Sequence, residues 1–192
     1  MPNGIGLVKL MGRESGFIAA QATLAMKEVN FVLVPEAPFT LEGEGGLLPA
    51  LEERLKSRHH AVIVAAEGAG QHLLGDVADL LRSEIKRYMD ARGIPHALKY
   101  IDPSYIIRSV PATANDKVYC GFLGQYAVHA AMAGRTDMVV GKIQDRYVHL
   151  PLELVTRRRR KLNIYSDLWR AALESTGQGM LAGMLPQQET HG

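Results

Sequence analysis

Between residues 10 and 20 the chain reads LMGRESGFIAA, with Arg13 and Glu14 set between Gly12 and Gly16 ahead of a nearly apolar run. A guanidinium offers a planar fork of donors suited to phosphate, and flanking glycines let the backbone approach a ligand closely. Three further apolar runs end in polar residues. Glu36 follows VLVP, Glu67 follows VIVAA, and Lys99, Tyr105 and Arg108 surround Pro103. Carboxylates accept from sugar hydroxyls, whereas lysine, tyrosine and arginine donate to phosphate. Together the set suits a phosphorylated sugar. Taken one at a time the same residues have plainer readings: Arg13 as a solvated end paired with Glu14, Glu36 as a loop charge, Tyr105 as half-buried core and Arg108 as a surface ion pair.

The elements that must position these residues follow from periodicity. Short apolar runs alternate with longer segments of helical period, which is the signature of βαβ units and predicts an α/β fold, a Rossmann-like parallel sheet flanked by helices. IGLVKLMG, NFVLVPE and AVIVAAEGAG read as strands, and HALKYIDPSYIIR as a strand broken at Pro103. Helices are expected over residues 15–27, in LLPALEERLKSRHH, in DVADLLRSEIKRYMDARG and in DKVYCGFLGQYAVHAAMAG, the last capped by Asn115 or Asp116 and ended by Gly134. DMVVGKIQDRYVHLPLE reads as two short strands, SDLWRAALEST as a final amphipathic helix, and MLPQQETHG as a frayed tail. Ligands of open α/β sheets sit beyond the carboxyl ends of the strands, where Arg13, Glu36 and Glu67 fall.

Composition narrows the function classes. The 192 residues are 47% hydrophobic with a formal net charge of +2, which supports a substantial core and gives little ground for nucleic-acid binding. The run RRRRK at 157–161 reads as a solvated turn, since it falls in a connection without an aromatic platform. A single cysteine, Cys120, excludes an internal disulfide and is expected to be a small buried hydrophobe in a reducing compartment. No secretory signal pattern or membrane-length apolar stretch appears, so a soluble, cytoplasmic protein is expected, or a plastid one if a transit peptide precedes Met1.

The segments KLMGRESGFIAAQATLA, VNFVLVPEAPFTLEGEGG, HAVIVAAEGAGQ, LKYIDPSYIIRSVPATANDKVYCGFLGQYAVHAAMAG and VVGKIQDRYVHLP resemble consecutive blocks of the phosphofructokinase family. They are most similar to its long, plant-type ATP-dependent branch and to the related pyrophosphate-dependent enzymes. The resemblance runs from about Asn3 to about Thr176 and covers the carboxyl half of that family's catalytic unit. It implies that Met11, Gly12 and Arg13 form the MGR motif that helps hold fructose 6-phosphate. Glu36 matches the glutamate on the sugar hydroxyls, and Tyr105 and Arg108 match a phosphate-contacting pair. Lys99 matches a basic residue reaching in from a neighbouring subunit, which implies a homo-oligomer. Glu67 has no role of that kind and is read as structural.

The family's GGDG-type nucleotide loop and its TxDND-type segment, which carries the catalytic aspartate and the magnesium contacts, do not occur in the 192 residues. The resemblance therefore implies Mg2+ and ATP for an intact 6-phosphofructokinase, with no catalytic or metal-binding residue in this chain and no activity from it alone. Arg13 and Arg108 would stabilise charge in the transition state. A shortened segment is expected after Gln71. The resemblance also implies a sugar-phosphate lobe over residues 1–101, a return to the nucleotide lobe with a terminal helix over 102–180, and a tail over 181–192. The helix from Asn115 to Gly134 and the strands after it would then pack on a lobe that is mostly missing, and the apolar face so exposed is expected to cause poor solubility or self-association. Two other readings stay open: a non-catalytic or regulatory sugar-phosphate binder, and a pyrophosphate-dependent enzyme.

Overall fold

The computed structural model describes residues 3–70 and 75–184. The expected shortening after Gln71 and most of the expected tail lie outside the described residues. Packing divides the chain into two units, one formed by residues up to Ile107 and from Lys161 onward, the other by Arg108–Arg160.

The first unit is built on a parallel sheet in the order β2-β3-β1-β4, with β1 at Gly4–Leu10, β2 at Phe31–Leu33, β3 at His60–Ala66 and β4 at Ala97–Ile101. Strands covered on both faces read as continuous apolar runs, and in β3 every residue from Ile63 to Ala66 is buried. Helices α1 (Phe17–Ala25), α2 (Leu47–Arg58) and α3 (Val77–Ala91) supply that cover. In α2 the core side is drawn by Leu47, Leu48, Leu51 and Leu55, all buried at helical spacing. Asp76 caps α3 by accepting from the Ala78 and Asp79 amides.

One expectation fails at the fourth strand. HALKYIDPSYIIR is not a strand interrupted by Pro103: β4 ends at Ile101, and Ser104–Ser109 forms a short helix, α4. The reason is local, because Asp102 accepts from the Ser104 amide at 3.1 Å and so starts a helix immediately after the strand. Tyr105 and Arg108 therefore stand on a helix.

In the second unit, α5 (Ala114–Met132) is capped by Thr113 and not by Asn115 or Asp116. Thr113 accepts from the Asp116 amide while the Asp116 carboxylate accepts from the Thr113 amide, a reciprocal capping box that places Asp116 in the first turn. The expected strand pair is an antiparallel hairpin of β5 (Met138–Ile143) and β6 (Arg146–Pro151), turned by Gln144 and Asp145, both at positive φ. A five-residue helix, α6 (Leu152–Thr156), follows where the sequence had suggested continued strand. Tyr147 of the hairpin stacks on Phe122 and Tyr126 of α5 at centroid distances of 5.4 and 5.0 Å. Only Ala130 of α5 is buried, and Cys120 is exposed, contrary to its expected burial.

The final helix, α7 (Asp167–Thr176), belongs to the first unit, whereas the sequence reading grouped it with the segment over 102–180. Ser166 caps it, and its buried Trp169 and Ala172 join the core of the parallel sheet. No helix among the described residues is long and apolar enough to cross a membrane.

Candidate functional site

The site is assembled from the turns that follow β1, β2 and β3. After β1, Gly12 takes φ +137°, a conformation that side chains rarely adopt, and a Cβ there would lie 2.4 Å from the Ser15 carbonyl oxygen. Glycine is what lets the chain double back through Met11, Gly12 and Arg13. That turn is bonded to the one after β3: the Glu67 amide donates to the Leu10 carbonyl at 2.8 Å and the Gly68 amide to the Gly12 carbonyl at 3.1 Å. Glu67 also faces Arg13, with 3.5 Å between the Arg13 Nε and a carboxylate oxygen. Glu67 from the third strand is thus a partner of the arginine, beyond the neighbour Glu14 that the sequence offered.

Glu36, delivered by the turn after β2, accepts from the Gly16 amide at 3.1 and 3.0 Å through its two oxygens, and from the Leu162 amide at 2.7 Å through Oε1. Gly16 precedes α1, so the Glu36 carboxylate places the protein's own negative charge at the start of that helix. A side chain at residue 16 would collide with Val34 at 2.3 Å. Glycine is thus required for Glu36 to reach the amide.

Above these turns lies an open cavity of about 590 Å³, lined among others by Arg13, Glu14, Glu36, Lys161 and Asn163. Both signs of charge and an amide side chain face one space, which provides acceptors for hydroxyls and donors for an anion. The structure thus brings Arg13 and Glu36 together. It does not bring Lys99 or Tyr105 to this cavity. Lys99 is exposed on the edge strand β4, level with Gly6 of β1, and Tyr105 is exposed on α4. Arg108, three residues on and so on the same side of α4, falls in the second unit.

Sequence reasoning missed a part-buried charge cluster on β1. Lys9 in β1 pairs with Asp76 at 3.0 Å and with Asp102 at 3.5 Å, its side chain only 18% exposed. Burial alone would lower its pKa, but hydrogen bonds with Asp76 and Tyr100 prevail and hold it above the usual lysine value. Asp76 is likewise opposed by burial, yet the bonds from Lys9 and the Ala78 amide keep it below the ordinary carboxylate range. Asp102 is lowered by its bonds with Ser104. One ammonium therefore ties the cap of α3 to the cap of α4. The signal was a charge inside an apolar strand, which burial permits only with an acidic partner.

Among the described residues, no group of three or more His, Cys, Asp or Glu side chains is arranged to hold a metal ion.

A model of the family described as Phosphofructokinase matches residues 2–131. The ATP-dependent 6-phosphofructokinase of Amycolatopsis methanolica is 46% identical over 209 residues, covering 98% of this chain and 46% of its own length. The alignment is longer than the chain, so that relative carries insertions this chain lacks. ATP-dependent 6-phosphofructokinase 4, chloroplastic, of Arabidopsis thaliana is 45% identical over 195 residues, covering 92% of this chain and 37% of its own. Among solved structures, a pyrophosphate-dependent phosphofructokinase from Marinobacter aquaeolei superposes with a TM-score of 0.69 at 22% identity, over 99% of this chain and 51% of that one, and shares the fold. The chain spans about half the length of the curated relatives it matches. With the glycine-dependent turn at Arg13 and the parallel sheet behind it, these matches establish that the chain belongs to the phosphofructokinase family.

Proposed function

We propose that this chain provides the sugar-phosphate side of an ATP-dependent 6-phosphofructokinase, binding fructose 6-phosphate for phosphoryl transfer. The observation that carries the reading is the cavity in which Arg13 and Glu36 meet, each held by backbone geometry that only glycine allows. Phosphoryl transfer depends mainly on positioning and charge stabilisation, so a rigidly presented arginine is the contribution such a half-site makes. In this reading Met11, Gly12 and Arg13 approach the substrate, and the remaining lone pairs of Glu36 accept from sugar hydroxyls. Tyr105 and Arg108 contact phosphate from α4, and Lys99 on its edge strand serves a neighbouring copy of the chain.

The residues present do not fit Mg2+ or the nucleotide phosphates. The 192 residues contain neither the glycine-rich loop nor the aspartate-bearing segment, and no described acidic cluster replaces them. The chain is accordingly proposed to bind sugar phosphate and not to turn it over unaided. ATP is preferred to pyrophosphate as the donor because the sequence relatives at 39 to 46% identity are named as ATP-dependent, while the pyrophosphate-dependent neighbour shares the fold at 22%.

The test is titration calorimetry of fructose 6-phosphate into the purified chain and into Arg108→Ala, with a coupled assay for ATP-dependent phosphorylation alongside. The reading expects binding that the substitution weakens, and no turnover. A folded chain that ignores fructose 6-phosphate would overturn it.

A further inference from the structure

We propose that Lys161 is a phosphate-contacting cation of this same cavity, so that the basic run 157–161 serves the site through its last residue. The inference rests on the reading of the cavity as a sugar-phosphate site. The run crosses from the second unit into the first at Lys161, and Lys161 shares the lining of the cavity with Arg13 and Glu36.

Its placement is fixed on the side that matters. Leu162 is 3% exposed within the core of the first unit, and its amide donates to Glu36 Oε1 at 2.7 Å. Asn163 then turns the chain by accepting from the Tyr165 amide at 2.9 Å, leading into the Ser166 cap and buried Trp169 of α7. The backbone beside Lys161 is thus pinned to the carboxylate that also holds the start of α1. The side chain itself is exposed and projects on a long, flexible stem from a fixed base.

Charge gives the second reason. A sugar phosphate near neutral pH carries between one and two negative charges and three acceptor oxygens. Arg13 already faces Glu67 at 3.5 Å, and Glu14 and Glu36 add negative charge to the lining. Among the lining residues Arg13 and Lys161 carry the positive charge, against the carboxylates of Glu14 and Glu36, so Lys161 is the second cation that a phosphate meets in this cavity. A lysine ammonium is a compact point charge with three donors, suited to a phosphate oxygen in an open, hydrated cavity. The family resemblance assigns no role to this position, and the sequence had assigned the run to solvent.

The experiment titrates the full chain with fructose 6-phosphate and with unphosphorylated fructose, comparing wild type with Lys161→Met, Lys161→Arg, Arg159→Met and Arg13→Ala. Lys161→Met is expected to weaken fructose 6-phosphate about five- to tenfold, the modest size reflecting screening in an open site. Fructose binding should not change, Lys161→Arg should recover most of the affinity, and Arg159→Met should bind as wild type does. The inference is overturned if Lys161→Met retains wild-type affinity while Arg13→Ala loses it, in which case the cavity reading stands. Equal losses from Arg159→Met and Lys161→Met would also overturn it, since the run would then act as a diffuse basic field. If wild type fails to bind fructose 6-phosphate, both the inference and the reading beneath it fall.

Discussion

The amide of Leu162 donates to Glu36 Oε1 at 2.7 Å, joining positions 126 residues apart in the chain. Through the same carboxylate, which also accepts from Gly16, the segment before α7 is tied to the start of α1 and to the turn after β2. Glu36 therefore has structural work to do whatever it binds. Glu36→Ala should leave two part-buried amides without their acceptor and lower stability by about 2 kcal/mol in chemical denaturation. Glu36→Gln keeps an acceptor oxygen and should cost less than half of that.

Gly16→Ala tests the same joint from the other side. The added carbon would lie 2.3 Å from Val34, a buried β-branched side chain in a packed core. Overpacking of this kind costs about 1 to 3 kcal/mol. A thermal melt should show the loss, and sugar-phosphate affinity should fall with it because the turn is displaced.

Arg13→Ala should behave in the opposite way. Its ion pair with Glu67 is exposed, 77% on the arginine side and 39% on the glutamate side, and such pairs contribute about 0 to 1 kcal/mol. Denaturation midpoints should hardly move, so any loss of ligand affinity reports on binding and not on folding.

The Lys9 cluster has a defined pH signature. Asp76 has its folded pKa depressed, so its contribution is complete above the ordinary carboxylate value of 3.8 and is lost as pH falls through the lower folded value. Lys9 has its folded pKa raised, so its contribution is complete below 10.5 and fades only as pH rises towards the higher folded value. Lys9→Met should therefore destabilise the protein by about 1 kcal/mol at pH 7, discounted for the exposed part of Asp76. The gap between wild type and variant should narrow at pH 3 in matched denaturant titrations. A gap of unchanged size at pH 3 would mean that packing of the lysine stem, not its charge, supports the strand.

The parallel sheet was legible because runs such as AVIVAA are apolar throughout, as doubly covered strands are, and alternate with helices whose leucines recur at helical spacing. The turns at Arg13 and Glu36 were legible for the same reason, since strand ends mark where ligands gather. What could not be read was contact at a distance. Nothing in local sequence says that Glu67 will face Arg13, that Glu36 will hold the Leu162 amide, or that Lys9 will find Asp76 and Asp102. The short helix carrying Tyr105 and Arg108 was missed because IIRSV has strand propensity, and a capping bond from Asp102 overrides it. Cys120 was misplaced because the apolar composition of α5 suggests burial on every side, whereas in this chain only Ala130 is covered.

The most direct test of the account is the affinity of the chain for fructose 6-phosphate with and without Arg13, measured on samples whose folding is checked by circular dichroism. The account predicts saturable binding by the wild-type chain and at least a tenfold loss in Arg13→Ala, with melting temperatures unchanged. Equal affinity in the two, or no binding by a folded wild-type chain, would contradict the claim that the turn after the first strand is built to hold a sugar phosphate.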